Sequence, residues 1–269
     1  MAQDPFRTNR RSAIRLAGLV AAVLAALLYR CTQPGGQPSA PAPAAKATRS
    51  LPQQAGRFDF YLLDITHEAA WCEDGNERRG QCRQVDRSLA NKRPLVLHGL
   101  WPENLRPGTY PSECGSTALV LSNGLRQRLD WVMPGTMEGL DEHEWRKHGT
   151  CTGLDAETYY TEAVRWTERL ARALNGLVRA AAGGRTSAAT LRAGIAASDP
   201  ALADSVVFLC KNLASVNPQH RRRPYLVSVR VCIDNDGAGG RPETLMRCES
   251  VGRRDQGCGQ SFFVDDIEE

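Results

Sequence analysis

The sequence lacks several features that would place it in a common class of enzyme or binding protein. None of its nine cysteines shows C-x-x-C spacing, which disfavours a zinc site of that type. It has no internal repeat, no phosphate-cradling glycine loop and no dinucleotide-binding fingerprint. An apolar run at residues 16–28 has 13 residues, which is short for a membrane-spanning helix of about 20 residues.

Most of the chain also lacks net charge. Residues 1–30 contain five arginines and one aspartate, and the remaining residues contain 29 basic and 29 acidic side chains. A domain without the first segment would have no overall attraction for nucleic acid. Local clusters, such as residues 221–223 or the pair Arg126 and Arg128, would have to supply it. Such clusters are more often simply solvated surface.

The N-terminal segment has the pattern of an export signal. Arginines precede the apolar run, which suits the core of a signal peptide, so we expect residues 1–31 to be removed; a retained membrane anchor is the alternative. Residues 32–56 are rich in Pro and Ala and predict a disordered linker. Residues 57–269 would form one domain, periplasmic or secreted, monomeric, and without stable membrane association once the first segment is removed.

Short strands and helices alternate irregularly in that domain. The patterns predict strands at 58–64, 95–98 and 225–234, and helices at 119–132, 142–148, 156–182 and 190–197. Asp155 is a plausible N-cap for the longest helix, and glycines 183 and 184 a plausible stop. The fold class predicted is α+β, with a central antiparallel sheet flanked by helices.

Two motifs contain the residues best suited to chemistry. Residues 98–102 read HGLWP, and residues 143–151 read HEWRKHGTC. They hold three of the five histidines, a carboxylate, an ammonium and two tryptophans. This set suits proton transfer beside a negatively charged, aromatic substrate such as RNA, whose 2′-hydroxyl can attack its own phosphorus.

Helical spacing in the second motif suggests how its side chains would cooperate. Glu144 and His148 are four residues apart and would share a face, so Glu144 could orient His148 and raise its pKa. His143 and Lys147 would share an adjacent face and bind phosphate oxygens. His98 follows a short apolar run and would provide the second proton carrier.

Other interpretations of these residues remain open. A histidine after an apolar strand is more often a core residue, and Trp101 and Trp145 are more often packing residues than ligand platforms. The charged run could be a solvated helix face. A zinc protease would need histidines four apart on one helix, whereas His143 and His148 are five apart. The joint occurrence of both motifs favours catalysis.

The chain resembles the ribonuclease T2 family of secreted, disulfide-bonded, RNA-cleaving enzymes. Both active-site segments of that family are present, at 97–102 and 143–151. Residues 58–63 are similar to its first strand and residues 231–234 to a late strand. One departure affects residues 66–72, where family members commonly have Ser-Trp-x-Pro, and it leaves base preference open.

The resemblance implies a role for each matching catalytic position. His148 would be the general base that takes the 2′-hydroxyl proton, and His98 the general acid that protonates the leaving 5′-oxygen. Glu144 would assist His148. Lys147 would stabilise negative charge at phosphorus.

The resemblance also implies binding roles and disulfides. His143 would hold phosphate, and Trp101 would stack on a base. The implied disulfides are Cys72–Cys82, Cys114–Cys151, Cys210–Cys258 and Cys232–Cys248.

The function predicted is a metal-independent endoribonuclease without cofactors. It would cleave single-stranded RNA, leave DNA intact, and form a 2′,3′-cyclic phosphate and then a 3′-phosphate. The alternatives are a catalytically silent RNA-binding protein of the same fold and a metal-dependent hydrolase.

Overall fold

The computed structural model describes residues 55–83, 93–106, 108–214, 218, 220–235 and 240–266. The predicted signal or anchor segment, Cys31 and nearly all of the predicted linker lie outside the described residues. Among the helices of the described ranges, none combines the length and the apolar character needed to cross a membrane.

The described chain forms six strands and seven α-helices. The strands are β1 (Phe60–His67), β2 (Leu95–Glu103), β3 (Arg185–Thr186), β4 (Val206–Lys211), β5 (Tyr225–Asp234) and β6 (Phe262–Phe263). The helices are α1 (Glu68–Glu73), α2 (Gly80–Arg83), α3 (Asn123–Val132), α4 (Leu140–Lys147), α5 (Ala156–Ala181), α6 (Ala188–Ser198) and α7 (Pro200–Ala203).

The sheet has the strand order β2–β1–β5–β6–β3, and β4 also pairs with β5. All of the longer pairings are antiparallel; β5 and β6 meet in parallel at a single residue pair. Alternate residues of β1 face opposite sides, as a strand requires. Leu63 and Ile65 join the large core shared with the helices, whereas Phe60 and Leu62 join a smaller cluster on the other face.

A β-bulge interrupts the pairing of β1 with β2 at His98. Asp64 pairs with Gly99, and the next residue, Ile65, pairs with Leu97, so His98 is the extra residue. The bulge shifts the alternation of side chains along β2. Leu97 and Leu100, three residues apart, therefore both enter the helix-side core, while Trp101 faces the other side.

The long helix α5 packs across the sheet and begins and ends where the sequence predicts. The Asp155 side chain accepts a hydrogen bond from the Thr158 amide at 2.8 Å, which caps the first turn. The helix ends at Ala181, and Gly183 has a positive φ of 70°. The predicted fold class is confirmed, and β5 has the predicted bounds. The sequence did not predict α1, α2, α7, β3, β4 or β6.

Within the part of the chain that the structure describes, four disulfides join Cys72 to Cys82, Cys114 to Cys151, Cys210 to Cys258 and Cys232 to Cys248. These are the pairs that the family resemblance implies. The Cys114–Cys151 bond ties the loop before α3 to the turn that follows α4. The second sequence motif is thus fixed at its C-terminal end.

A buried histidine makes the fold sensitive to acid. His67 is 1% exposed and its ring nitrogen caps α1 by accepting from the Ala70 amide. Burial lowers the pKa of His67 to about 4 from 6.5. Because the folded pKa is below the unfolded one, this contribution to stability is present above pH 6.5 and is lost as pH falls toward 4.

The variant His67→Asn keeps a hydrogen-bond acceptor at this position but cannot be protonated, so we expect it to remove this acid-induced loss of stability. Between pH 7 and 4 the free energy of unfolding should fall by about 3 kcal/mol less than in the native protein, at about 1.4 kcal/mol per pKa unit. Denaturant unfolding at a series of pH values measures this. His143→Asn, at an exposed histidine, is the control, and equal acid slopes for His67→Asn and the native protein would contradict the prediction.

Candidate active site

A buried carboxylate joins the two sequence motifs. Glu144, on α4, is 2% exposed, and its Oε2 accepts a hydrogen bond from the Trp101 indole N–H at 2.7 Å. Its Oε1 lies 3.6 Å from Nε2 of His98. The contact needs a glycine at position 99, because a Cβ there would overlap Glu144 Oε2 and the indole nitrogen. The Glu144 carboxylate therefore joins helix α4 to strand β2.

Packing beneath α4 fixes its position. The Trp145 side chain is buried and its indole N–H donates to the Thr117 carbonyl at 2.7 Å. The Tyr160 hydroxyl, from α5, donates to the Asp141 carbonyl in the first turn. Gly149 lies against the Trp145 ring, where a Cβ would overlap the indole. These contacts hold the face with Glu144 toward the sheet.

His148 is the C-cap residue that follows the last residue of α4. Its backbone N–H donates to the Glu144 carbonyl at 2.9 Å. Its ring centre lies 5.4 Å from that of Trp101 and 5.7 Å from that of Tyr110. The residue is 4% exposed, and its Nδ1 is buried without a hydrogen-bond partner among the described residues. The imidazole is thus covered by two aromatic rings.

The predicted partnership of Glu144 with His148 is wrong. Among the described residues, the Glu144 carboxylate contacts Trp101 and His98 in β2 and makes no hydrogen bond or ion pair with the His148 ring. The predicted rise in the pKa of His148 is also wrong. Burial lowers this pKa to about 3, and the positive charges of Lys147, His143 and His98 lower it further. His148 is therefore neutral at ordinary pH.

Burial also favours the neutral forms of Glu144 and His98. It raises the pKa of Glu144 to about 7, although the Trp101 hydrogen bond and Lys147 oppose the rise. It lowers the pKa of His98, where the negative charge of Asp64 opposes the effect. Near pH 7, Glu144 is therefore partly protonated, and burial favours the neutral form of His98.

Lys147 and His143 lie at the edge of this cluster. His143 is exposed, with Nδ1 3.5 Å from the Arg146 guanidinium, and Lys147 is half-buried. Both are close enough for their positive charge to lower the pKa of His98 and of His148. The edge of the cluster therefore favours the binding of an anion.

The structure adds a second polar network that the sequence analysis missed. Asp64 is buried in β1 and accepts hydrogen bonds from the Ser228 hydroxyl and the Arg230 Nε, each at 2.6 Å. The Arg230 guanidinium lies over the Trp101 ring at 5.3 Å. Thr66 Oγ1 is 3.5 Å from Nδ1 of His98.

One of these residues had a visible signal. Asp64 is a charge at the end of an apolar strand pattern, which calls for a buried partner. Tyr110 lies in a loop, and no pattern in the sequence indicated its place beside His148. Within the described ranges, no group of three or more His, Cys, Asp or Glu side chains is placed to hold a metal ion.

Comparison with solved structures shows the fold. The chain matches ribonuclease MC1 from bitter gourd seeds with a TM-score of 0.55 and 21% identity, over 77% of this chain and 100% of that one. It matches ribonuclease NT in complex with 5′-AMP with a TM-score of 0.58 and 18% identity, over 78% and 100%.

Sequence comparisons show the family. A "Ribonuclease" of Aeromonas hydrophila is 30% identical over 222 residues, which are 78% of this chain and 86% of the relative. "Ribonuclease I" of Escherichia coli K12 is 26% identical over 162 residues, 48% and 60% of the two chains. A sequence model of the ribonuclease T2 family matches residues 58–241. The chain is a ribonuclease and belongs to the ribonuclease T2 family.

Proposed function

We propose that this ribonuclease cleaves single-stranded RNA by transphosphorylation, without a metal ion. The 2′-oxygen would attack phosphorus, the 5′-oxygen would leave, and the 2′,3′-cyclic phosphate would then be hydrolysed to a 3′-phosphate. The observation that supports this most directly is the meeting of two imidazoles, 50 positions apart in sequence, on one indole. The rings of His98 and His148 both lie within 5.5 Å of the Trp101 ring.

The proton equilibria suggest which histidine is the base. His148 is neutral at ordinary pH, and the negative charge of a bound phosphate would raise its low pKa toward the range that suits a general base, so we assign it the 2′-hydroxyl proton. His98 lies 3.6 Å from the partly protonated Glu144, and a bound phosphate would favour the imidazolium form by its negative charge. His98 is then the acid that protonates the 5′-oxygen, and the two roles exchange during hydrolysis of the cyclic phosphate.

The remaining residues would bind and stabilise the substrate. Lys147 would neutralise charge developing on the phosphorane oxygens, and His143 would hold a phosphate oxygen at the exposed edge. Trp101 is proposed to stack on a base. Because Tyr110 covers His148 and is itself 38% exposed, its side chain would have to turn aside when RNA binds.

The wider assignment is also part of the proposal. Residues 57–269 would be the ribonuclease domain of an exported monomer. Residues 1–31 would be removed on export, and residues 32–56 would precede the domain as a linker. A silent RNA-binding protein of the same fold is the alternative. The complete set of His98, Glu144, Lys147 and His148 favours turnover.

Incubation with RNA and DNA tests the reaction directly. In excess chelator we expect RNA, but not DNA, to be cleaved, because DNA lacks the attacking 2′-hydroxyl. Product ends identified by mass spectrometry should be 2′,3′-cyclic phosphate early and 3′-phosphate late. Binding of RNA without any product would favour the silent alternative, and loss of activity in chelator would favour a metal-dependent hydrolase.

Removal of either imidazole should abolish most of the rate. We expect His98→Ala and His148→Ala each to lower kcat at least about 100-fold, the usual scale for a positioned acid or base. His220→Ala, at a histidine outside the cleft, is the matched control. Circular dichroism and unfolding curves show whether the variants are folded. Folded variants with nearly native rates would exclude the proposed roles.

The contact of Glu144 with His98 predicts the alkaline side of the pH profile. Since Glu144 and His98 must hold one proton, kcat/KM should fall as pH rises through about 7. In Glu144→Gln the carboxylate no longer favours the imidazolium, so this fall should move to lower pH. Glu142→Gln, an exposed carboxylate on the same helix, should leave the profile unchanged. An identical alkaline limb in native and Glu144→Gln enzyme would refute the pairing.

A further inference from the structure

A pocket of about 350 Å³ lies between α3 and α5, beside the start of β2. Its apolar wall consists of Leu95, Val132 and Ala171. Leu95 and Val132 belong to the helix-side core, whereas Trp101 belongs to the cluster on the opposite face of the sheet. The pocket is therefore separate from the proposed catalytic cleft, and its volume is in the range of small-molecule sites.

Two residues of this pocket contain polar atoms that the described residues do not satisfy. Nε and Nη1 of Arg93 and Oδ1 of Asn175 are buried and have no hydrogen-bond partner there. The Glu68 carboxylate attracts Arg93 electrostatically. The same carboxylate accepts a hydrogen bond from the Gln81 side chain. An unsatisfied buried polar group destabilises the folded state. Because these atoms are buried, the Arg93 and Asn175 side chains would have to turn toward the pocket before a ligand could bond to them.

The same pocket has a planar surface and a positive charge. The Arg93 guanidinium stacks on the Trp131 ring at 4.4 Å, and Trp131 is 53% exposed. Arg172 lines the pocket and is exposed. The acidic residue of the lining, Glu168, is ion-paired with Arg128 at 3.0 Å. Aromatic and guanidinium planes are the surfaces on which proteins stack nucleobases.

We propose that this pocket binds one nucleotide of RNA, as a second site distinct from the cleft. The base would stack on Trp131, and the phosphate would lie near Arg172. An exocyclic amino group would donate to the Asn175 amide oxygen once that side chain turns into the pocket. The inference rests on the proposed function, because RNA or its fragments would supply the nucleotide. It places a binding site on the face of the sheet opposite Trp101.

Titration of the whole protein with 5′-AMP, followed by the indole N–H signals in NMR spectra, tests the second site. Trp131→Ala and Trp101→Phe assign the two signals by their loss. We expect both signals of the native protein to move with saturation. Adenosine should move the Trp131 signal more weakly than 5′-AMP, and inorganic phosphate should move it less still, because the proposed contacts include base and phosphate.

Two variants test the contacts. Asn175→Leu and Arg172→Gln should each weaken the Trp131 response at least fivefold while leaving the Trp101 response unchanged. Arg254→Gln, at an exposed arginine outside the pocket, is the control. A Trp131 signal that stays fixed at millimolar 5′-AMP, or that moves equally in all variants, would overturn the second site. If the Trp101 signal also failed to move, the proposed cleft function would be at fault as well.

Discussion

The hydrogen bond from the Trp101 indole to the Glu144 carboxylate is the contact on which the active site depends. It joins strand β2 to helix α4, and the same carboxylate lies 3.6 Å from His98. Because Glu144 is almost fully buried, its second oxygen has little access to water and is available to the imidazole. The glycine at position 99 permits this approach, and the packing of Trp145 under α4 maintains it. A short carboxylate side chain thus brings two segments, more than 40 residues apart, into one site.

Burial sets the charge of that site before any substrate arrives. It favours the neutral forms of His148 and His98 and retains a proton on Glu144 near pH 7. The cations at the edge, Lys147 and His143, oppose imidazolium formation as well. An arriving phosphate would reverse this balance, because its negative charge stabilises the imidazolium form and would lie next to Lys147 and His143. The substrate would therefore complete the charge arrangement that its own cleavage needs.

Much of the secondary structure and all the proposed catalytic residues follow from local sequence. The strand at 225–234 and the cap of α5 at Asp155 were predicted as the structure has them, because alternation and capping are local properties. Strand β4 was missed because its short apolar run has the same pattern as a buried turn of helix. The network of Asp64 with Arg230 was missed because its members lie on different strands, and register is not a local property.

The sequence by itself determined the kinds of groups available for catalysis, the positions of the main elements and, through the family resemblance, the disulfide pairs. Tertiary structure decided which groups meet. Helical spacing predicted Glu144 against His148, but the helix ends at Lys147 and the carboxylate bonds to β2 instead. The bulge at His98 and the signs of the pKa shifts also come from tertiary structure. Strand register and the exclusion of water depend on residues distant in the chain, and no short motif contains that information.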